Sequence, residues 1–137
     1  MTRALLLTVV LILSGCTPTK QTTFEQLGGL PKIEEIADNF IADIARDEIM
    51  FEFFKDSNID RFREKLIEHL CHLTGGGCTY TGDTMEQVHS GMNISEGDFN
   101  HSVDLFINAM DKAGIAHPIQ NKVLKVMAPT RREMLYL

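Results

Sequence analysis

Residues 80–91, Tyr-Thr-Gly-Asp-Thr-Met-Glu-Gln-Val-His-Ser-Gly, put a single histidine, His89, at the end of a short stretch with its own start signal. Imidazole is a strong ligand for iron, and a neutral ring nitrogen facing an apolar cleft is the form that binds it. Asp83 followed by Glu86 reads as a capping box, opening a short helix whose last turn carries His89. A lone histidine is more often a surface or core residue, so the case for a ligand rests on its surroundings. The other chemistry-bearing residues are less promising. His69, Cys71 and His72 share one helix, but positions i, i+2 and i+3 do not converge on one ion, and the useful i, i+4 pair is missing. They read as a partly exposed helix face with the cysteine turned elsewhere. His101 and His117 read as solvent-facing or capping residues, and Glu34-Glu35 and Glu64 as solvated helix surface. The chain shows no Ser-His-Asp arrangement, no glycine loop suited to phosphate and no paired carboxylates in a cleft.

Apolar spacing is helical almost throughout, with little strand alternation. Thr23–Leu27 makes one short turn ended by Gly28-Gly29, and Pro31 suits the start of the next helix. There Ile33, Ile36, Ala37, Phe40, Ile41 and Ile44 follow the period of one buried face. Asn58 or Asp60 can start a helix carrying Phe62, Leu66, Leu70 and Leu73, which Gly75-Gly76-Gly77 stop. Ser95 with Asp98 caps a helix whose inner face is Phe99, Val103, Phe106, Ile107 and Met110. His117-Pro118 opens the last one, and Pro129 kinks or loosens its end. The expectation is an all-α domain with four substantial helices, able to bury a core and leave a slot between them for a planar cofactor.

The N-terminus belongs to targeting rather than to the fold. Arg3 precedes an uncharged apolar run, residues 4–13, too short to span a bilayer but suited to a signal-peptide core. Leu13-Ser14-Gly15-Cys16 resembles a bacterial lipobox, with Cys16 the lipidated first residue after cleavage. The expected organisation is a leader over 1–15, a lipidated tether over 16–22 and a helical domain over 23–137. The acyl chains would hold that domain at a membrane of the cell envelope, facing periplasm or exterior. Loss of Arg3 takes 13 basic residues to 12 against 19 acidic, and the net charge from −6 to −7. Such a domain gives no support to nucleic-acid binding, nor to docking on anionic lipid through charge. Cys71 and Cys78 then remain, either as a disulfide, which an oxidising compartment permits, or as two reduced thiols.

Phe24-Glu25-Gln26-Leu27-Gly28-Gly29, Phe53-Phe54, Gly75-Gly76 with Tyr80-Thr81-Gly82, Gln87-Val88-His89-Ser90-Gly91, Ile94-Ser95 with Phe99, Ala113-Gly114-Ile115 and Val126-Met127-Ala128-Pro129 stand in one order. In that order they resemble the landmarks of a group I truncated haemoglobin, the two-over-two helical globin, over Thr23 to Pro129. The resemblance implies haem b, with His89 as the proximal iron ligand and Phe54 against the porphyrin face. It places Phe40, Ile41, Phe62 and Leu66 on the distal side, where O2, NO or CO would bind. Tyr80, Val88, Met92, Phe99, Val103 and Met127 would complete the cavity, and Lys65 would pair with a propionate.

This chain departs from that pattern where it matters most. The family usually carries a tyrosine directly after the phenylalanine of the second helix, and here Phe40 is followed by Ile41. A glutamine often supplies a second donor at the place of Leu66, and Met92 stands where another basic propionate partner is expected. The implied protein releases O2 fast and oxidises easily, while NO and CO depend less on a donor. Conversion of NO to nitrate, known in the family, needs an electron donor from elsewhere, since the chain has no flavin or nicotinamide domain. Two other readings fit these residues: a haem electron carrier with Lys65 as sixth ligand, and a haem-free helical lipoprotein that mediates protein contacts.

Overall fold

A computed structural model describes residues 19–137. The leader, Cys16 and the first part of the tether lie outside the described residues. Among the described residues seven α-helices follow one another: α1 (Thr23–Leu27), α2 (Leu30–Ile44), α3 (Glu48–Phe54), α4 (Ile59–Leu73), α5 (Met85–His89), α6 (Glu96–Lys112) and α7 (His117–Met127). A 3-10 turn, Ala128–Glu133, continues from α7. Among the described residues β pairing is limited to one isolated bridge between Ile94 and Leu135. Pro129 sits in the 3-10 turn, where its missing N–H cannot extend an α-helix, so the expected kink is a change of helix type.

Helix α2 organises the core. Ile33, Ile36, Ala37, Phe40 and Ile44 are all buried on it, packed with Phe106, Ala109 and Met110 of α6 and Leu70 and Cys71 of α4. The rings of Phe40 and Phe106 meet edge to face, 5.4 Å between centroids. Polar ties fix the register of these helices. The buried Asp43 carboxylate accepts from Asn108 Nδ2 at 2.9 Å and pairs with Lys112, both on α6. Asp38 on α2 takes a two-pronged contact from Arg63 on α4, at 2.5 and 3.0 Å.

Helix starts follow side-chain chemistry closely. Asn58 caps α4, and Ser95 forms a reciprocal capping box with Asp98 on α6. Before α5 the box lies one residue later than the sequence reading put it: Thr84 is the cap and Gln87 its partner, not Asp83 and Glu86. The Thr84 hydroxyl accepts from the Gln87 amide, and the Gln87 side-chain oxygen accepts from the Thr84 amide. Asp83 instead accepts a contact from Arg61 and, through its carbonyl, from the Tyr80 hydroxyl. Asp47 caps α3 through the Ile49 and Met50 amides and pairs with His101 Nε2 at 2.7 Å. His101 is therefore a brace between α3 and α6 rather than a solvent-facing residue.

Cys71 and Cys78 form a disulfide, with Cα atoms 5.7 Å apart. It ties the end of α4 to the loop that leads to Tyr80 and α5. The chain turns there through Gly75, in the left-handed region, and Gly76. A Cβ on Gly76 would stand 2.5 Å from the Phe24 ring and 2.6 Å from Cys71 Sγ, so the α1 ring and the disulfide close over a position only glycine can fill.

Candidate functional site

The helices leave a cleft of about 760 Å³, bounded by α3, α4, α5, α6, α7, the 3-10 turn and Phe40 of α2. That is within the usual range for cofactor pockets, about 300–1,000 Å³. Of the residues named from the sequence, Phe40, Phe54, Phe62, Lys65, Leu66, Tyr80, Val88, His89, Met92, Phe99, Val103 and Met127 all line it.

Ile41 does not. It lines a separate, smaller cavity of about 180 Å³ with Ile44, Phe51 and Ile59. Phe54 and Phe62, 4.8 Å apart at their centroids, border both spaces. Successive helical residues point about 100° apart. Phe40 therefore turns to Phe106, while Ile41 turns to the start of α4. The expected distal position is apolar, as read, but stands behind that aromatic pair.

His89 ends α5, a five-residue helix with no buried residue. Its Nδ1 lies 2.7 Å from the Met85 carbonyl oxygen. A carbonyl can only accept, so Nδ1 carries the proton and Nε2 keeps a free lone pair, the tautomer a metal ligand requires. Burial pushes the imidazole pKa below its ordinary value, against the contrary pull of the Met85 contact. The ring is thus neutral near pH 7.

Lys65 is engaged at the rim. Its ammonium reaches Glu64 at 2.7 Å, Glu68 at 3.1 Å and the Thr81 hydroxyl at 2.7 Å. The Glu64 contact, ahead of the Glu68 contact, raises its pKa above the ordinary lysine value. A lysine held this way keeps its proton, which favours ion pairing over metal ligation. Glu68 also accepts from the Thr81 amide at 3.0 Å, which holds its carboxyl below the usual range. The same cluster therefore pins the loop between the disulfide and α5 against α4.

Among the cleft residues that the sequence reading did not assign to it, one carries chemistry of its own. His69, read there as part of a partly exposed face, is half-buried, lines the cleft and packs at a tilt against Tyr80 with ring centroids 4.8 Å apart. It stands three residues beyond Leu66 and seven beyond Phe62, on the same side of α4, so the stripe that revealed those two contained it. Its neighbourhood to Cys71 and His72 drew attention to a metal triad instead. Among the described residues no cluster of three metal-ligating side chains exists, and Cys71 is in the disulfide. Burial, then the charge of His72, lowers the His69 pKa.

An apolar slot walled by helices, with a neutral histidine on one side and a charged rim, is the architecture of a two-over-two globin. Residues 22–136 match the model of the bacterial-like globin family, and the chain belongs to that family. It is 29% identical to the group 1 truncated hemoglobin of Tetrahymena pyriformis over 115 residues, 84% of this chain and 95% of that one. The group 1 truncated hemoglobin of Mycolicibacterium paratuberculosis is likewise 29% identical, over 81% of this chain and 82% of its own length. The crystal structure of the Tetrahymena pyriformis protein in its Fe(III) form superposes with a TM-score of 0.82 at 28% identity, covering 85% of this chain and all of that one. The 2/2 hemoglobin of Synechococcus shares the fold, with a TM-score of 0.77 at 15% identity. The group I resemblance and the all-α two-over-two fold are thereby borne out. Globins as a family hold haem and bind diatomic gases with it.

Both cleft histidines have depressed pKa values, so the folded protein binds fewer protons than the unfolded chain below the ordinary histidine value of about 6.5. Stability of the haem-free protein should be fully present above that pH and fall as the pH drops below it. Urea unfolding followed by circular dichroism between pH 7.5 and 5 checks this, and His69→Gln with His89→Gln should flatten the slope.

Proposed function

We propose that the chain is a haem protein that binds diatomic gases reversibly, with His89 as the proximal ligand to the iron of haem b. The observation that carries the reading is the His89 ring itself. It lines the cleft, is neutral, and has one nitrogen committed to the Met85 carbonyl and the other free. Bound haem would supply the iron at which the gas is held. The residues of this chain do the rest: Phe54, Phe62 and Leu66 exclude water, and Lys65 offers a cation at the rim.

Neither Ile41 nor Leu66 can donate a proton to a bound gas. A hydrogen bond to a partly charged acceptor stabilises by about 1.5–3 kcal/mol, which is about ten- to a hundred-fold in lifetime. The reading is fast exchange of O2, with binding of NO and CO less affected, and a role in scavenging or sensing NO rather than in O2 storage. Dioxygenation of NO would need reductant from another protein. Electron carriage through Lys65 as sixth ligand is disfavoured, because that lysine would have to leave Glu64, Glu68 and Thr81 and lose a proton they stabilise.

We place the domain outside the cytoplasm, tethered through lipid on Cys16. The apolar run before that cysteine supports this, and so does a disulfide at Cys71–Cys78, since such bonds persist mainly in oxidising compartments. Among the described residues no helix is long and apolar enough to cross a membrane.

Hemin titrated into the haem-free protein should give an intense Soret band at one equivalent, and His89→Ala should change the spectrum and weaken retention at least about tenfold. A protein that stays colourless, or an unaltered His89→Ala spectrum, rejects the reading. By flash photolysis, O2 should leave about ten- to a hundred-fold faster than from relatives with a tyrosine donor, and His69→Ala should leave that rate unchanged. A slow rate that His69→Ala accelerates would identify His69 as a donor. Growth with a labelled fatty acid should label the full-length protein, and Cys16→Ala should abolish the label.

A further inference from the structure

Helix α5 has no buried residue, yet it bears His89. Five residues also form too few internal hydrogen bonds to be stable alone. Its Thr84–Gln87 box secures its first turn, but the turn that leaves His89 has no comparable device of its own. Ser90 is extended, and Gly91 and Asn93 lie at positive φ, 83° and 47°. Asn93 is one of two non-glycine residues at positive φ among the described residues, the other being Tyr136.

Those two residues meet across one small structure. The Gly91 and Asn93 amides both donate to the Leu137 main-chain oxygen, at 3.2 and 2.9 Å, and the Tyr136 amide donates to the Ile94 carbonyl at 3.0 Å. The Met92 amide in turn donates to the His89 carbonyl at 3.1 Å. The other side of the segment is moored to α6: Arg131 pairs with Glu96 at 2.9 Å, and the Glu96 amide reaches the Tyr136 hydroxyl at 3.4 Å. A path of bonds therefore runs from the long, packed α6 through residues 131–137 to the turn that follows His89.

We propose that residues 134–137 act as a strap that positions His89, with the Leu137 main-chain oxygen and the Tyr136 backbone as its working groups. The strap holds the 91–94 turn in a conformation it would not keep alone, and so fixes where α5 ends and how the imidazole sits over the cleft. Its consequence for the iron bond rests on the haem reading above, while its effect on the imidazole does not.

Two variants at one position separate this from general damage. Tyr136→Pro removes the N–H that binds Ile94 and forbids the positive φ, so the strap should come off. Tyr136→Gly keeps the N–H and suits that φ, so the strap should stay. In the haem-free full-length chain, amide exchange at Gly91 and Asn93 should be slow in wild type and Tyr136→Gly, and fast in Tyr136→Pro. Nitrogen-15 spectra of the imidazole should show His89 as one tautomer in the first two proteins and as a mixture in the third. With hemin bound, Tyr136→Pro should lose it to an apoglobin acceptor about tenfold faster and shift the iron–imidazole stretching band. Unprotected Gly91 and Asn93 amides in wild type overturn the strap. A released strap with an unchanged His89 tautomer and unchanged hemin loss overturns its positioning role. If wild type binds no hemin, the haem reading falls, and the tautomer arm still decides the strap.

Discussion

The bond on which this molecule turns is short and local: the Nδ1–H of His89 donates to the Met85 carbonyl one helical turn earlier. It selects the tautomer and fixes the ring about its own axis, and partial burial keeps the imidazole neutral. The bond is of use only if the helix that makes it is itself held in place. Helix α5 contributes no side chain to the core, so its position is inherited from what surrounds it. The capping box before it, the loop pinned by Glu68 and Thr81, and the hydrogen-bonded segment beyond Leu135 each restrain one side.

The rest of the fold can be understood as the support for that arrangement. Helix α2 packs on both α4 and α6 and buries a nearly continuous apolar face, and the residual space is a cleft lined by α4 and α6 with Phe40 of α2 reaching it. Charges sit where they set register or edge: Asp43 ties α2 to α6, Asp38 ties it to α4, and Lys65 with Glu68 secures the mouth of the cleft. The disulfide adds a covalent restraint to the loop that carries Tyr80, whose ring backs His69. Apolar walls, a neutral ring and a charged rim are thus consequences of one packing scheme.

Much of this was legible in the residues. The period of Ile33, Ile36, Ala37, Phe40 and Ile44 showed the buried face of α2, and Asn58, Ser95 and the glycines marked helix boundaries, because caps and stripes act over one or two turns. Most of the residues that line the cleft followed from the resemblance that their order along the chain carries. The cap of α5 was misplaced by one residue, since Asp83-Thr84 with Glu86-Gln87 offers two overlapping boxes and only the folded turn chooses between them. His69 was passed over because its neighbours Cys71 and His72 suggested a surface cluster. Which way Cys71 faces depends on Phe24, far away in the chain, which packs with it around Gly76.

By itself the sequence determined the helical class, the buried faces and most starts of the longer helices, and the acidic balance of charge. These are properties of composition and of spacing within a few residues. Tertiary structure alone decided that Cys71 reaches Cys78, that Lys65 is held by two carboxylates and a threonine, that Ile41 lies behind Phe54 and Phe62, and that residues 134–137 bind the turn after His89. The reason is the same in each case. Pairings of backbone or polar groups between distant segments carry no periodic mark, and they exist only once the apolar faces have brought those segments together.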